Sequence, residues 1–408
     1  MAVNKELLLR QIHEKIDYSR EMEESEIRRL IGETLNEYGR RQYISLQEKE
    51  KLGKELFYAI RKLDILQEIF EDSEITEIMI NGPEHIFIEK NGRLLAWENH
   101  FSSKEKLEDI IQQIASKCNR VVNEASPIVD ARLEDGSRVN VVLAPLALDG
   151  PVMTIRRFPK EPINMEKLVR IGSLPREAAK WLQILVQAGY NILISGGTGS
   201  GKTTFLNALS EYIPKEDRII TIEDSAELQI RNAPNLVRLE TRNATAEGCR
   251  EITIRDLIRT SLRMRPTRLI VGEVRGGEAF DLLQCLNTGH DGSLSTGHAN
   301  SAADMLSRLE TMALMGVELP LPAIRRQIAS GIDIIVQLGR LRDRTRRVLE
   351  IAEVVGMKED EIRLETLCVF EEESGSSKKE VKGRLVFKKE LANRQKLLAA
   401  GLSDLPPF

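Results

Sequence analysis

The stretch Asn191 to Leu209, NILISGGTGSGKTTFLNAL, leaves this chain few options. An apolar run, Ile192-Leu193-Ile194, enters a six-residue loop with four glycines, and Lys202-Thr203-Thr204 then opens a helical pattern. Strand, loop and helix follow the spacing G-x-x-x-x-G-K-[ST], carried by Gly196, Gly201, Lys202 and Thr203. Glycines let backbone N–H groups curl around phosphate oxygens in conformations that a side chain forbids. The helix N-terminus adds partial positive charge, Lys202 can reach the β- and γ-phosphates, and the Thr203 hydroxyl can ligate Mg²⁺. Gly196, Gly197, Thr198, Gly199, Ser200, Gly201, Lys202, Thr203 and Thr204 are therefore the expected cradle for a nucleoside triphosphate.

A loop of this kind needs a parallel α/β sheet behind it, and the surrounding sequence supplies the pattern. From Glu177 to about Val355 short apolar strands alternate with helices. Strands are expected at Ile192–Ile194, Arg218–Ile222, Val237–Leu239, Arg268–Val271, Ser293–Thr296 and Ile332–Leu338. Past Val355 the pattern is less periodic: Glu371 to Lys379 reads as a solvated loop, and Glu390 to Ala400 as a closing helix before Pro406-Pro407. Upstream, residues 1–65 carry helical stripes such as Leu8/Ile12/Ile16 and Ile27/Leu30/Ile31/Leu35. Another stripe, Leu52/Leu56/Ile60/Leu63/Leu66, is opened by a capping box at Ser45 and Glu48. From Ile75 the period changes to two, with a hairpin signal at Asn91-Gly92 and a helix at Lys104–Lys117. The expected division is a helical region over 1–65, an α+β domain over 66–158, a linker over 159–176, and an α/β domain that carries the phosphate loop, with its appendage, over 177–408. At 408 residues two or three such domains are in keeping with the length.

A phosphate cradle needs partners to do chemistry. Leu269-Ile270-Val271-Gly272-Glu273 reads as a second strand with Glu273 at its C-terminal edge, where open α/β sheets hold ligands and where a carboxylate can polarise water. The residue before it is Gly272, where an Asp would usually support Mg²⁺. Glu223 and Asp224 leave another strand together. His290 and His298 stand eight residues apart around a short strand, which suggests γ-phosphate sensing or coupling. No zinc spacing exists, and the scattered Cys118, Cys249, Cys285 and Cys368 read as free thiols of a reducing cytoplasm. A formal charge of −4, from 59 basic and 63 acidic residues, gives no global pull toward nucleic acid. The dense basic run Arg340 to Arg347 reads as a hairpin turn. No apolar stretch is long enough to span a membrane.

The glycine-rich loop, TIEDSAELQI, LIVGEVRGGEA and TGHDGSLSTGHANS occur in an order and spacing that resemble the type II and type IV secretion and pilus-assembly ATPases. They look like that superfamily's Walker A, Asp box, Walker B and His box. The branch resembled most is the Tad/Flp pilus assembly ATPases (CpaF-like), through ITEIMINGP at Ile75–Pro83, Ile155-Arg156-Arg157-Phe158 and Arg325-Arg326-Gln327-Ile328-Ala329. A Gly before the catalytic Glu is usual in that family, and the tetracysteine zinc element of type II secretion ATPases is missing.

The resemblance implies a RecA-like P-loop domain and a cytoplasmic homohexamer that hydrolyses ATP with Mg²⁺. Such a hexamer works against a polytopic inner-membrane platform protein, peripherally to the membrane and without nucleic acid. It also implies roles: Lys202 on the phosphates, Glu273, Glu223 and His298 reading them, and Thr203, Glu223 and Glu273 around the metal. Arg138 and Arg156 match arginines that reach the γ-phosphate from the N-terminal domain, with Arg157 as an open alternative to them. A type IV secretion ATPase and, more distantly, a RecA-like DNA motor are the rival readings.

Overall fold

The computed structural model describes residues 5–20, 22–158, 163–242, 244 and 250–402. The chain separates into two compact units, Met1–Glu161 and Pro162–Phe408.

The first unit begins with α1 (Lys5–Lys15), α2 (Glu24–Arg41) and α3 (Leu46–Arg61), followed by the short α4 (Leu66–Glu71). Leu8, Ile12, Ile27, Ile31, Leu35 and Leu56 turn inward to form a core of their own. Ser45 caps α3 in the expected box with Glu48. The third stripe does not continue through Leu63 and Leu66 as one helix. Asp64 adopts φ 51° and its N–H turns back to Tyr58 O at 3.1 Å, which ends α3 and starts a new direction.

The period-two region then builds β1 (Ile75–Asn81), β2 (His85–Lys90), β3 (Arg93–Ala96), α5 (Lys104–Lys117), β4 (Ile128–Arg132), β5 (Arg138–Val142) and β6 (Val152–Arg156). The strands form one antiparallel sheet in the order β3-β2-β1-β6-β5-β4. Ile78, Ile80, Val139, Val141, Met153 and Ile155 face α5, whose Leu107, Ile110, Ile111 and Ile114 cover them. Alternation leaves the neighbouring residues, Arg138 and Arg156 among them, on the opposite face.

The second unit runs α6 (Met165–Arg170), α7 (Arg176–Gln187), β7 (Ile192–Gly196), α8 (Lys202–Ser210), β8 (Ile219–Glu223), β9 (Leu236–Glu240), α9 (Ile254–Ser261), β10 (Arg268–Val274), α10 (Glu278–Leu286), β11 (Leu294–Gly297), α11 (Ala302–Gly316), α12 (Leu321–Gly331), β12 (Ile334–Arg340), β13 (Arg346–Lys358), β14 (Glu361–Glu372), β15 (Gly383–Phe387) and α13 (Gln395–Ala399). Its nine strands follow the order β15-β14-β13-β12-β7-β11-β10-β8-β9. From β12 to β9 every neighbour is parallel, and the inner strands are covered on both faces, which is why they read as near-continuous apolar runs, whereas the edge strand β9 stays partly exposed. This is the RecA-like α/β fold.

Several local expectations need correction. The region past Val355 is sheet, not irregular: β13, β14 and β15 extend the parallel core by antiparallel hairpins, and β14 takes in Glu371 and Glu372. The closing helix is short because the Ala392 and Asn393 amides donate to the buried Glu353 carboxylate at 2.8 and 2.7 Å instead of to helix carbonyls. Within the stretch expected as a linker, α6 buries Met165 and Leu168 in the second unit's core. The linker's first residues, 159–162, and Pro406-Pro407 lie outside the described residues. So does Cys249, while Cys118, Cys285 and Cys368 are free thiols.

Candidate active site

The site grows from the end of β7, which lies between β12 and β11; the crossover from β7 runs toward β8 and the one from β11 runs the opposite way, to β12. Gly199 and Gly201 hold φ of +71° and +93°, a region that side chains rarely enter, and Gly201 is the cap from which α8 starts. Lys202, the first residue of α8, is largely buried. Its Nζ donates to Gly196 O at 3.0 Å and Gly197 O at 3.2 Å, so the ammonium sits inside the curve of the loop. Burial pulls its pKa below the usual lysine value, with Arg275 acting in the same direction and Glu273 opposing.

Three neighbouring strands then bring their ends together. His298, just past β11, faces Lys202 Nζ through Nδ1 at 3.1 Å. Its Nε2 stands 2.7 Å from Glu273 Oε1, an approach of charge and ring that lies off a proper hydrogen-bond line. Glu273, near the end of β10, offers Oε2 to Arg275, which donates from Nε at 2.9 Å and Nη2 at 2.6 Å. Arg275 Nη1 also lies 3.8 Å from Asp224. Burial holds the His298 pKa below its ordinary value, opposed by Glu273 and reinforced by Lys202, Arg275 and Arg308.

Glu223, at the end of β8, is buried. Its Oε1 accepts the amides of Glu227 and Leu228, both at 2.7 Å, while Oε2 is buried without a hydrogen-bond partner among the described residues. Burial pushes its pKa up to about 7. The Gly272 that replaces an Asp now has a physical reason, since a Cβ there would come within 3.0 Å of Glu223 Cγ. The carboxylate of one strand occupies the space that a side chain on its neighbour would need.

The structure brings together Lys202, Glu223, Glu273, His298 and the loop, with Thr203 and Thr204 on its helix. It separates the two histidines. His290 precedes β11 and His298 follows it, so they stand at opposite ends of the strand, and His290 Nδ1 instead meets Cys285 O at 3.2 Å. Among the described residues no group of three or more His, Cys, Asp or Glu is arranged to hold a metal. In the first unit Arg138 and Arg156 are cross-strand partners, and Arg132 pairs Arg138 from β4. Arg156 Nε donates to Glu77 at 2.8 Å. Arg157 turns away from them: its guanidinium donates to Phe70 O at 2.8 Å, Ile75 O at 3.1 Å, Ile69 O at 3.2 Å and Asp72 O. That set of carbonyls gives it a structural task.

Sequence reasoning passed over Arg275, although its place two residues beyond Glu273 was a usable signal. The basic run forms the expected hairpin turn, between β12 and β13, but its contact with the phosphate loop is not legible in the sequence: Arg346 Nε donates to Gly199 O at 2.8 Å. Beside that contact a cavity of about 50 Å³ is bounded by Leu168, Thr204, Phe205, Leu338 and Arg346 among others. No helix among the described residues is long and apolar enough to cross a membrane.

Comparison with known proteins agrees with this geometry. The family described as "Type II/IV secretion system protein" matches residues 61–397. The type IV secretion system protein PtlH of Bordetella pertussis is 35% identical over 304 residues, covering 68% of this chain and 90% of PtlH. The conjugal transfer protein TrbB of Rhizobium radiobacter is 32% identical over 323 residues, covering 77% of this chain and 96% of TrbB. Among solved structures the ATPase DotB of Yersinia pseudotuberculosis shares the fold at a TM-score of 0.54, with 18% identity over 71% of this chain and 78% of its own. With boxes, fold and relatives in agreement, the chain belongs to the type II/IV secretion ATPase family.

Proposed function

We propose that this protein hydrolyses ATP and converts the cycle into domain motion that drives pilus assembly or protein secretion through a membrane platform, as a homohexamer of the Tad/Flp type. The observation that carries the reading is the convergence of Lys202, His298 and Glu273 at the ends of adjacent strands. An ammonium placed for phosphate oxygens, a ring that touches it, and a carboxylate beyond the ring form a line along which a γ-phosphate and its attacking water can be read. Glu273 orients the water; Arg275 fixes its Oε2, and the His298 ring stands 2.7 Å from its Oε1. Arg138 and Arg156 complete the charge stabilisation over the γ-phosphate. An arginine in that role is worth roughly 10³–10⁵ in rate.

Mg²⁺, when bound with the nucleotide, neutralises phosphate charge. Thr203 and Glu223 suit it, because the Glu223 Oε2 is a buried acceptor with no hydrogen-bond partner among the described residues. Glu273 suits it as well, because its Oε1 is likewise buried without a hydrogen-bond partner among the described residues, while Arg275 holds its Oε2.

The test is steady-state hydrolysis by purified protein. Lys202→Ala should abolish turnover, and Glu273→Gln should bind ATP without turning it over; normal hydrolysis by Glu273→Gln would sink the assignment. A second reading, a type IV secretion ATPase, is favoured by the names of PtlH and TrbB. Genes for small prepilin-like proteins and a polytopic platform protein beside this one favour the pilus system, and their replacement by conjugation or effector-secretion genes favours the second. DNA-stimulated, salt-sensitive hydrolysis would point instead to a DNA motor.

A further inference from the structure

The basic run Arg340-Leu341-Arg342-Asp343-Arg344-Thr345-Arg346-Arg347 joins β12 to β13, and its arginines divide the work. Arg342 forks onto the Glu372 carboxylate, with one contact at 2.8 Å, and its Nε donates to Ser377 O at 3.1 Å. Arg347 donates to Val381 O at 2.9 Å and to Gly383 O at 3.3 Å. Asp343 accepts the Val381 amide at 2.7 Å. These contacts fasten the turn to the β14–β15 side of the sheet. Ser173 Oγ then donates to the Arg346 carbonyl at 2.8 Å, which fixes the backbone at that residue.

From this fastened turn Arg346 reaches the phosphate loop, and Nε donates to Gly199 O at 2.8 Å. Its Cδ stands 3.4 Å from where a Cβ on Gly201 would be, and Arg340 Nη1 stands 3.8 Å from the same position on Gly199. A trans peptide points its C=O and its N–H in opposite directions. Tying Gly199 O outward therefore turns the Ser200 N–H inward, where it faces Gly197 O at 3.3 Å. Lys202 Nζ meets that same carbonyl at 3.2 Å, so the amide and the ammonium point into one space. Glycine at positions 199 and 201 gives the intervening peptides freedom to rotate, and an outside tether removes it.

We propose that Arg346 is a positioning residue of the phosphate loop: by holding Gly199 O it aims the Ser200 amide at the bound phosphate. The inference rests on the reading of this loop as a nucleotide cradle, and it gives the basic hairpin a task that is neither membrane contact nor DNA binding.

The experiment uses the full chain with and without ADP. Hydrogen exchange without nucleotide should quicken across residues 196–202 in Arg346→Ala and stay unchanged in the strands around them. ADP and ATP should bind roughly tenfold more weakly to that variant, the weight of one charge-assisted hydrogen bond. Arg346→Lys, which keeps the charge without the Nε–H, should restore only part of that affinity. Unaltered exchange over 196–202, or ADP binding within about twofold of wild type, overturns the proposal. Should Arg346→Ala fail to fold, Glu372→Ala, which loosens the turn through Arg342 and leaves Arg346 in place, should move both readouts in the same direction; no movement in either then overturns it. If the wild type binds no nucleotide, the functional reading fails, and the exchange measurement still judges Arg346.

Discussion

His298 lies between Lys202 and Glu273, with Nδ1 3.1 Å from the ammonium and Nε2 2.7 Å from the carboxylate. Its pKa is held down chiefly by burial, so the neutral ring is the form present near pH 7. An ammonium has only hydrogens to give, so Nδ1 faces it as a lone pair, and Nε2, 3.4 Å from the same ammonium, carries the ring hydrogen beside Glu273 but off a hydrogen-bond line to it. In the proposed mechanism the ring links the group assigned to phosphate with the group assigned to water. His298→Ala should lower turnover by about 10²-fold, the low end for a positioned proton-handling group, and should change ADP affinity only a few-fold. Protonating the ring would set like charge against Lys202. Turnover should therefore fall on the acid side, below the ordinary histidine value of about 6.5. A His298→Ala variant that keeps wild-type turnover removes the ring from the mechanism.

Gly272 and Glu223 share one space, which yields a steric prediction. A Cβ at position 272 would stand 3.0 Å from Glu223 Cγ and 3.6 Å from Ile222 O, with little room for either to move in a covered sheet. Gly272→Ala should cost about 1–3 kcal/mol of stability by overpacking and should lower turnover by displacing Glu223. Chemical denaturation and hydrolysis rates check both parts. Wild-type behaviour in Gly272→Ala would mean that Glu223 has another resting place.

Glu223 also makes stability depend on pH in an unusual direction. A free glutamate titrates at 4.5, whereas burial raises this one to about 7. Between those values the folded chain keeps a proton that the unfolded chain releases, so stability falls as pH rises through that window and levels off above it. Glu223→Gln keeps an oxygen for the Glu227 and Leu228 amides and carries no charge. It should be more stable than wild type by on the order of 2 kcal/mol at pH 8 and about equal near pH 4.5, while losing hydrolysis. Denaturant titrations at the two pH values decide it, and equal stability of the two proteins at pH 8 would refute the buried-charge argument.

What could be read from the sequence follows from where the information lies. The loop Gly196–Thr204, the Glu273 strand and the N-terminal capping box are local patterns, and each folds as its spacing requires. The β13–β15 hairpins were hidden because their strands mix buried and charged residues at an irregular beat, with register shifts at Ile351/Ala352 and Val354/Gly356. The short final helix depends on Glu353, 39 residues before Ala392, which no local window sees. Arg346 meets Gly199 across 147 residues of sequence, and only the pairing of β12 with both β7 and β13 brings them together. His290 and His298 show the converse, since nearness in sequence placed them at opposite ends of one strand.

Arg156 and Arg157 are neighbours in sequence with different surroundings, and substitution should separate them. Arg157 is half-buried and donates to four carbonyls around the end of α4, with its guanidinium 5.6 Å from the Phe70 ring centre. Removing it leaves those carbonyls without their donor, so Arg157→Ala should cost about 2–4 kcal/mol in the first unit. Arg156 is exposed and paired with Glu77, an interaction of the kind worth about 0–1 kcal/mol. Arg156→Ala should therefore melt with the wild type. If Arg156 completes the site over the γ-phosphate, that variant should bind ATP normally and hydrolyse it roughly 10³-fold more slowly. Thermal melts and single-turnover rates on the two variants test both statements at once. A slow but stable Arg156→Ala supports the assignment, whereas a stable variant with unchanged turnover moves the role to another residue, Arg138 first.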